Sequence, residues 1–133
     1  MKKHIAIFVG SAIEDIFSGR KTIECRFSQN RVLPYGEIAK DDIILLKKSA
    51  GDIIGQVIVD NVLCYDNLNV KSIEVLKKEY FNSAAMGEEF WRAKKQSKFG
   101  TIIFLKKPRR FVFGIKFRKK DRRPWLITEK KMP

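Results

Sequence analysis

Histidine occurs once in this chain of 133 residues and cysteine twice, and these two scarcities exclude much chemistry at the outset. A Ser-His-Asp triad would have to recruit His4, at the start of the first strand-like segment, so a histidine-based hydrolase is not expected. Cys25 and Cys64 lack the paired spacing of a zinc site, and each sits among apolar neighbours as a buried free thiol does. Asp41, Asp42, Asp52 and Asp60 read as turn and surface residues without metal-ligand spacing. No apolar run approaches the ~18 residues of a membrane span. Met1-Lys2-Lys3-His4 leads into a short strand-like segment rather than the core of a signal peptide. The expectation is a cytoplasmic protein, monomeric, with no membrane association, no metal and no cofactor.

Acid is the other shortage. Lys and Arg number 28 against 15 Asp and Glu, a formal charge of +13, and the excess is uneven. Residues 106–133 hold 12 basic and 2 acidic side chains, so ten of the surplus charges lie in that last stretch. Between Lys106 and Arg123 the lone acid is Asp121. Charge kept for solubility alone would have no reason to concentrate in this way. The strip Lys106, Lys107, Arg109, Arg110, Lys116, Arg118, Lys119, Lys120, Arg122 and Arg123 therefore reads as a face for a polyanion, RNA above all. Cations track phosphates while rings stack on splayed bases, and Trp125, beside Arg122 and Arg123, is the aromatic placed to do so. Phe111, Phe113 and Phe117 alternate in step with Ile115 and read as core.

With 44% hydrophobic residues the chain can bury one core, and a single domain over 1–127 with a polar, frayed tail at 128–133 is expected. His4–Gly10 reads as a buried strand. Ser11-Ala12-Ile13-Glu14 has the spacing of a capping box opening a short helix that Gly19 ends. In Lys21–Phe27, Ile23, Cys25 and Phe27 share one face and Thr22, Glu24 and Arg26 the other. Ile43–Leu46 and Ile53–Cys64 form a hairpin across Ser49-Ala50-Gly51-Asp52. The spacing of Ile73, Leu76, Lys77 and Tyr80 predicts a helix over 70–81. A second helix over 86–95 carries Phe90 and Trp91, at least one of them in the core, with a Glu88–Arg92 pair. Strands return at Thr101–Leu105, Phe111–Phe117 and Trp125–Ile127, Pro124 marking an edge. The order β-α-β-β-β-α-α-β-β-β suggests an α+β fold, a small closed or nearly closed β-barrel decorated by helices.

The sharpest element is Gly19-Arg20-Lys21-Thr22-Ile23-Glu24-Cys25-Arg26. On a strand Glu24 and Arg26 lie about 7 Å apart on one face and can converge on a ligand or on each other. Periodicity alone favours a plain exposed strand on which they pair, worth about 0.2–1 kcal/mol. Lys21 has the wrong parity for that face, so it belongs in the turn or at a bulge that leans it over the same cleft.

This segment resembles the G-x-K-x-x-E-x-R signature of the ASCH domain, a family of the PUA-like superfamily. The short helix before it, the later Ile53-Ile54-Gly55-Gln56-Val57-Ile58-Val59 strand and Trp125 in the last strand are similar too. The resemblance implies a small PUA-like β-barrel of about six strands decorated by two to three helices. It also implies an RNA-related role and a cleft lined by Lys21, Glu24 and Arg26. Some members of the family resemble amidohydrolases on acetylated cytidine, or nucleases. The alternative here is accordingly a hydrolase on a modified nucleoside or RNA with Lys21 and Glu24 as the catalytic pair. The amidohydrolase branch has a threonine where this chain has Glu24, which departs from that chemistry.

Overall fold

The computed structural model describes residues 1–118, 120 and 122–128. The elements are β1 (Lys3–Phe8), α1 (Ala12–Ser18), β2 (Ile23–Ser28), β3 (Ile43–Lys48), β4 (Ile53–Tyr65), α2 (Val70–Ala84), α3 (Glu88–Ala93), β5 (Phe99–Ile115) and β6 (Trp125–Thr128). All six strands belong to one sheet, ordered β2-β5-β4-β3-β1-β6 and curled into a half-barrel, so β2 and β6 are its two edges. β1 lies parallel to β3, and every other pairing is antiparallel. The α+β architecture, with six strands and three helices among the described residues, agrees with the sequence reading.

Alternating apolar side chains force the sheet to be covered on both sides. Inside the curl, Ala6, Phe8, Leu46, Val57, Val59, Ile103 and Trp125 pack with Ile13 and Ile16 of α1. On the other face of β2, Ile23, Cys25 and Phe27 meet Ile73, Leu76 and Tyr80 of α2 and Trp91 of α3. A third cluster, Ile5, Leu45 and Ile53, is covered by Phe111, Ile115, Phe117 and Leu126. Each such fully buried aliphatic side chain contributes about 1.5–3 kcal/mol. At Gly55 α1 packs tightly on the sheet: a Cβ there would stand 2.5 Å from Phe17 Cζ and 2.6 Å from the Arg109 carbonyl oxygen.

Several local expectations are corrected. Ser11 precedes α1 without a capping bond, because its hydroxyl donates to Asp15 Oδ2 at 3.0 Å. The box is built at α2 instead, where Asn69 and Ser72 exchange bonds. Gly19 does end α1, at φ 87°. Arg92 pairs with Glu89, while Glu88 takes Lys77 at 2.6 Å. Cys25 is buried but Cys64 is exposed. Burial, reinforced by the neighbouring Glu24 charge, pushes the Cys25 thiol up to about 12, so it stays protonated at neutral pH.

The two strands expected at Thr101–Leu105 and Phe111–Phe117 are one strand of 17 residues, bent by successive shifts of register against β4. Its first half pairs with both β2 and β4, and its second half pairs with β4 alone, with Phe111 and Ile115 packed on the cluster of Ile5, Leu45 and Ile53. At the last shift Gly55 pairs with Arg110 and Ile53 with Ile115, so Ile54 alone stands opposite Phe111-Val112-Phe113-Gly114. Alternation placed Phe113 in the core with Phe111 and Ile115. The bulge lifts it out, and it is 83% exposed.

Candidate functional site

The signature segment crosses from α1 into β2. The Lys21 amide donates to the Asp15 carbonyl at 2.9 Å and the Thr22 amide to the Ser83 carbonyl at 2.9 Å, which fixes the turn against α1 and the end of α2. The Lys21 side chain is fully buried, contrary to a lysine leaning over an open cleft. Its Nζ lies 2.6 Å from the Ala84 carbonyl oxygen at the C-terminal end of α2 and 2.9 Å from Glu24 Oε1. An ammonium at a helix C-terminus satisfies an otherwise orphaned carbonyl and complements the helix dipole. A buried lysine is tolerated here because both its partners are buried with it.

Glu24 is buried too, so its face of β2 is the lining of the half-barrel and not an exposed strand surface. Its Oε2 accepts from Arg26 Nε at 2.8 Å, and its Oε1 faces Lys21 off hydrogen-bond alignment. Burial alone would raise the carboxyl, but the Lys21 and Arg26 charges outweigh it and hold the pKa below the usual glutamate value.

Arg26 joins this buried pair to the outside. Its Nη2 donates to the Ile7 carbonyl at 3.1 Å, and its guanidinium carbon sits 5.2 Å from the Phe8 ring centre and 5.0 Å from that of Trp125. Cation–π contacts of this kind add about 0.5–2 kcal/mol. One edge, around Nη1, has no hydrogen-bond partner among the described residues.

Arg26 and Glu24 line a cavity of about 330 Å³ whose wall includes Phe8, Phe27, Tyr35, Phe90, Phe99 and Lys94. Lys21 lies behind Glu24 and outside this wall. Two basic residues, one in the cavity wall and one stacked on its aromatics, were missed in the sequence. Lys94 lines it directly, and Arg31 lies over Tyr35 and Phe99, 6.0 and 5.4 Å from their ring centres. An arginine four residues before a tyrosine, flanking Pro34, was the available signal. Phe90 does border the cavity, and Trp91 is core.

Trp125 is not a solvent-facing stacking platform. It is 1% exposed, and its indole Nε1 donates to His4 Nδ1 at 3.0 Å. His4 in turn meets Asp42 Oδ2 through Nε2 at 2.8 Å, and Asp42 also accepts from the amides of Lys2 and Ala39. Asp42 is thus a buried acceptor and not a surface residue. The indole needs an acceptor at Nδ1, which fixes His4 as the neutral Nε2–H tautomer. With both nitrogens occupied, His4 has no lone pair left for general-base work.

The strip divides along the fold. Lys107, Arg109 and Arg110 lie on β5, all exposed; Arg110 bonds Glu14 at 2.6 Å and stacks on Phe17 of α1, while Arg109 stacks on Phe111. Lys106 is held between Asp41 and Asp60 at 3.4 and 3.6 Å. Lys116, Arg118, Lys120, Arg122 and Arg123 are exposed on the segment after β5, and Lys119 falls outside the described residues. The strip approaches the cavity at two points. Glu14, the partner of Arg110, is two residues from Ala12 in the cavity wall, and Arg122 and Arg123 run into Pro124, which is also in that wall.

The curled sheet with helices on both faces is a PUA-like half-barrel. The family model of the ASCH domain matches residues 11–102, and the chain belongs to that family. Among solved structures, the ASCH protein of Zymomonas mobilis is 20% identical with a TM-score of 0.64, covering 82% of this chain and 70% of that one. A mutant form of that protein gives 16% identity and a TM-score of 0.74, covering 97% of this chain and 89% of the other. A comparison with curated proteins finds no match. No helix among the described residues is long and apolar enough to cross a membrane.

Proposed function

We propose that this ASCH domain is an RNA-binding module, monomeric, that takes one nucleotide or a bent segment of a single strand at the Arg26 cavity and holds the adjoining phosphates on the β5 strip. The observation that carries this reading is Arg26 itself. Its guanidinium is pinned by Glu24, Ile7, Phe8 and Trp125, yet its Nη1 has no hydrogen-bond partner among the described residues, and Arg26 lines an aromatic-walled cavity of about 330 Å³. Such a group donates to a phosphate or a base edge without losing side-chain freedom on binding. Lys94 adds charge in the cavity wall and Arg31 on two of its aromatic residues, and Lys107, Arg109 and Arg110 carry further charge on β5. The family's general association with RNA points the same way.

A hydrolase reading finds less support. Lys21 and Glu24 neutralise each other in a buried pair, and neither offers a free base or nucleophile. The deciding experiment measures binding of a fluorescent single-stranded RNA against salt. With about five phosphates neutralised, log K falls with log salt at a slope of about −3.5. Binding indifferent to salt, or a preference for duplex DNA, sinks the proposal.

A further inference from the structure

The bulge of β5 carries a feature that neither the cavity nor the basic strip uses. Val112 and Phe113 are 90% and 83% exposed, adjacent in sequence, and at the crest of the four-residue excursion opposite Ile54. The rest of the alternation is spent on packing: Phe111, Ile115 and Phe117 all pack against the cluster of Ile5, Leu45 and Ile53, and Phe113 does not. The crest has firm footings. Arg110 and Ile115 are paired to β4 on either side, and Gly114 lies so close to Asp52 that an added Cβ would be 3.0 Å from its carboxylate. Two apolar side chains are thus held out into water on a fixed base.

Their surroundings name the partner. Lys107, Arg109 and Arg110 precede the crest and Lys116 and Arg118 follow it, all exposed. The acids nearby are Glu14, taken by Arg110, and Asp52 beneath Gly114. An aromatic ring flanked by cations on both sides fits a single-stranded nucleic acid, in which phosphates alternate with stackable bases. We infer that Phe113, supported by Val112, is a base-stacking wedge. It meets the RNA strand outside the Arg26 cavity, where the strand runs along the β5 cations. The inference rests on the RNA-binding reading and adds a second contact of different chemistry to it.

The test uses the full chain and a single-stranded RNA of about 12 nucleotides. Stacking on an aromatic is worth roughly a tenfold change in affinity and releases no counterions. Phe113→Ala therefore weakens binding about tenfold while the slope of log K against log salt stays that of the wild type. Being exposed, Phe113 can be removed without loss of fold, which thermal unfolding verifies. In a Phe113→Trp variant the fluorescence is quenched by the single strand and not by a duplex RNA of the same sequence. Unchanged affinity in Phe113→Ala, with wild-type binding intact, overturns the wedge and leaves the RNA reading standing. Absence of any RNA binding by the wild type overturns both. A tryptophan at 113 that responds to vesicles of phosphatidylserine and phosphatidylcholine but not to RNA overturns the wedge in favour of a membrane contact.

Discussion

Arg26 of β2 lies over the ring of Trp125 of β6, its guanidinium carbon 5.0 Å from the ring centre, and these two strands are the opposite edges of the sheet. The same guanidinium donates to the Ile7 carbonyl on β1, so one side chain bridges the half-barrel where the described residues form no ladder of backbone hydrogen bonds. Removing it leaves Glu24 buried with Lys21 alone. Arg26→Ala is expected to cost about 3 kcal/mol, the low end of the range for deleting one partner of a buried ion pair, since the Arg26 side chain is itself partly exposed. Arg26→Lys keeps the charge but loses the planar stack and the fork, and falls between. Urea unfolding ranks the three proteins. Equal stability of the lysine variant and the wild type would deny the stack its part.

The Lys21–Glu24 pair makes a separate prediction. Glu24→Gln leaves the Lys21 ammonium buried against a single carbonyl and is expected to cost about 3 kcal/mol, while Lys21→Met with Glu24→Gln recovers part of that loss. Because the folded Glu24 pKa lies below its usual value, its contribution is complete above about pH 4.5 and drains away as pH falls below it. Unfolding midpoints followed from pH 6 to pH 3 should fall more steeply in the wild type than in the double variant. Equal slopes would place the acid sensitivity elsewhere.

How much of this was legible beforehand depends on what each residue answers to. Gly19, the β3–β4 hairpin and the apolar face of α2 follow from local rules, since a left-handed cap, a turn and a 3.6-residue period are written in neighbouring residues. The signature residues were found by resemblance, but their burial was not. Alternation says that Glu24 and Arg26 share a face; whether that face is water or barrel interior depends on how the sheet curls, which the strand itself does not encode. Lys21 does sit in the turn, but its burial was hidden for the same reason, because its partner Ala84 belongs to a helix far along the chain. Trp125 was hidden by His4 and Asp42, and Phe113 was exposed by a bulge that strict alternation cannot anticipate.

The Trp125–His4–Asp42 chain should show in neutral-to-acid stability. Burial holds the His4 pKa below the ordinary value of 6.5 despite the Asp42 carboxylate beside it, because protonation would also deprive the Trp125 indole of its acceptor. The unfolded chain takes up its proton first. The contribution of His4 is therefore whole above about pH 6.5 and declines as pH falls from there toward the folded value. Stability is expected to drop between pH 7 and pH 5.5. His4→Gln, less stable at pH 7, should lack that slope. A wild type whose urea midpoint is flat across the same interval would refute the assignment.

Gly55 gives a steric prediction free of charge effects. A methyl group at this position collides with the Phe17 ring and the Arg109 carbonyl together, and the carbonyl belongs to a paired strand that cannot retreat. Gly55→Ala is expected to cost about 1–3 kcal/mol, the range for overpacking, measured as a lowered urea midpoint. Phe17→Leu in the same background should restore part of it. If it restores nothing, the Arg109 carbonyl is the wall that matters.

The basic strip and the cavity should separate in their response to salt. Lys107 and Arg109 are exposed on β5, with the Arg109 guanidinium over the Phe111 ring, so neutralising both to glutamine disturbs little of the fold. If each meets one phosphate, the pair shifts the slope of log K against log salt by about 1.4 toward zero, at about 0.7 per contact for a single strand. Lys94→Gln, in the same cavity wall as Arg26, should instead weaken single-stranded RNA roughly equally at low and high salt if it bonds a base edge. Both are read by fluorescence anisotropy between 50 and 300 mM salt. The two-part arrangement predicts different slopes for the two variants, because one removes counterion release and the other removes a hydrogen bond. Identical slopes would mean that cavity and strip meet the strand through phosphates alone.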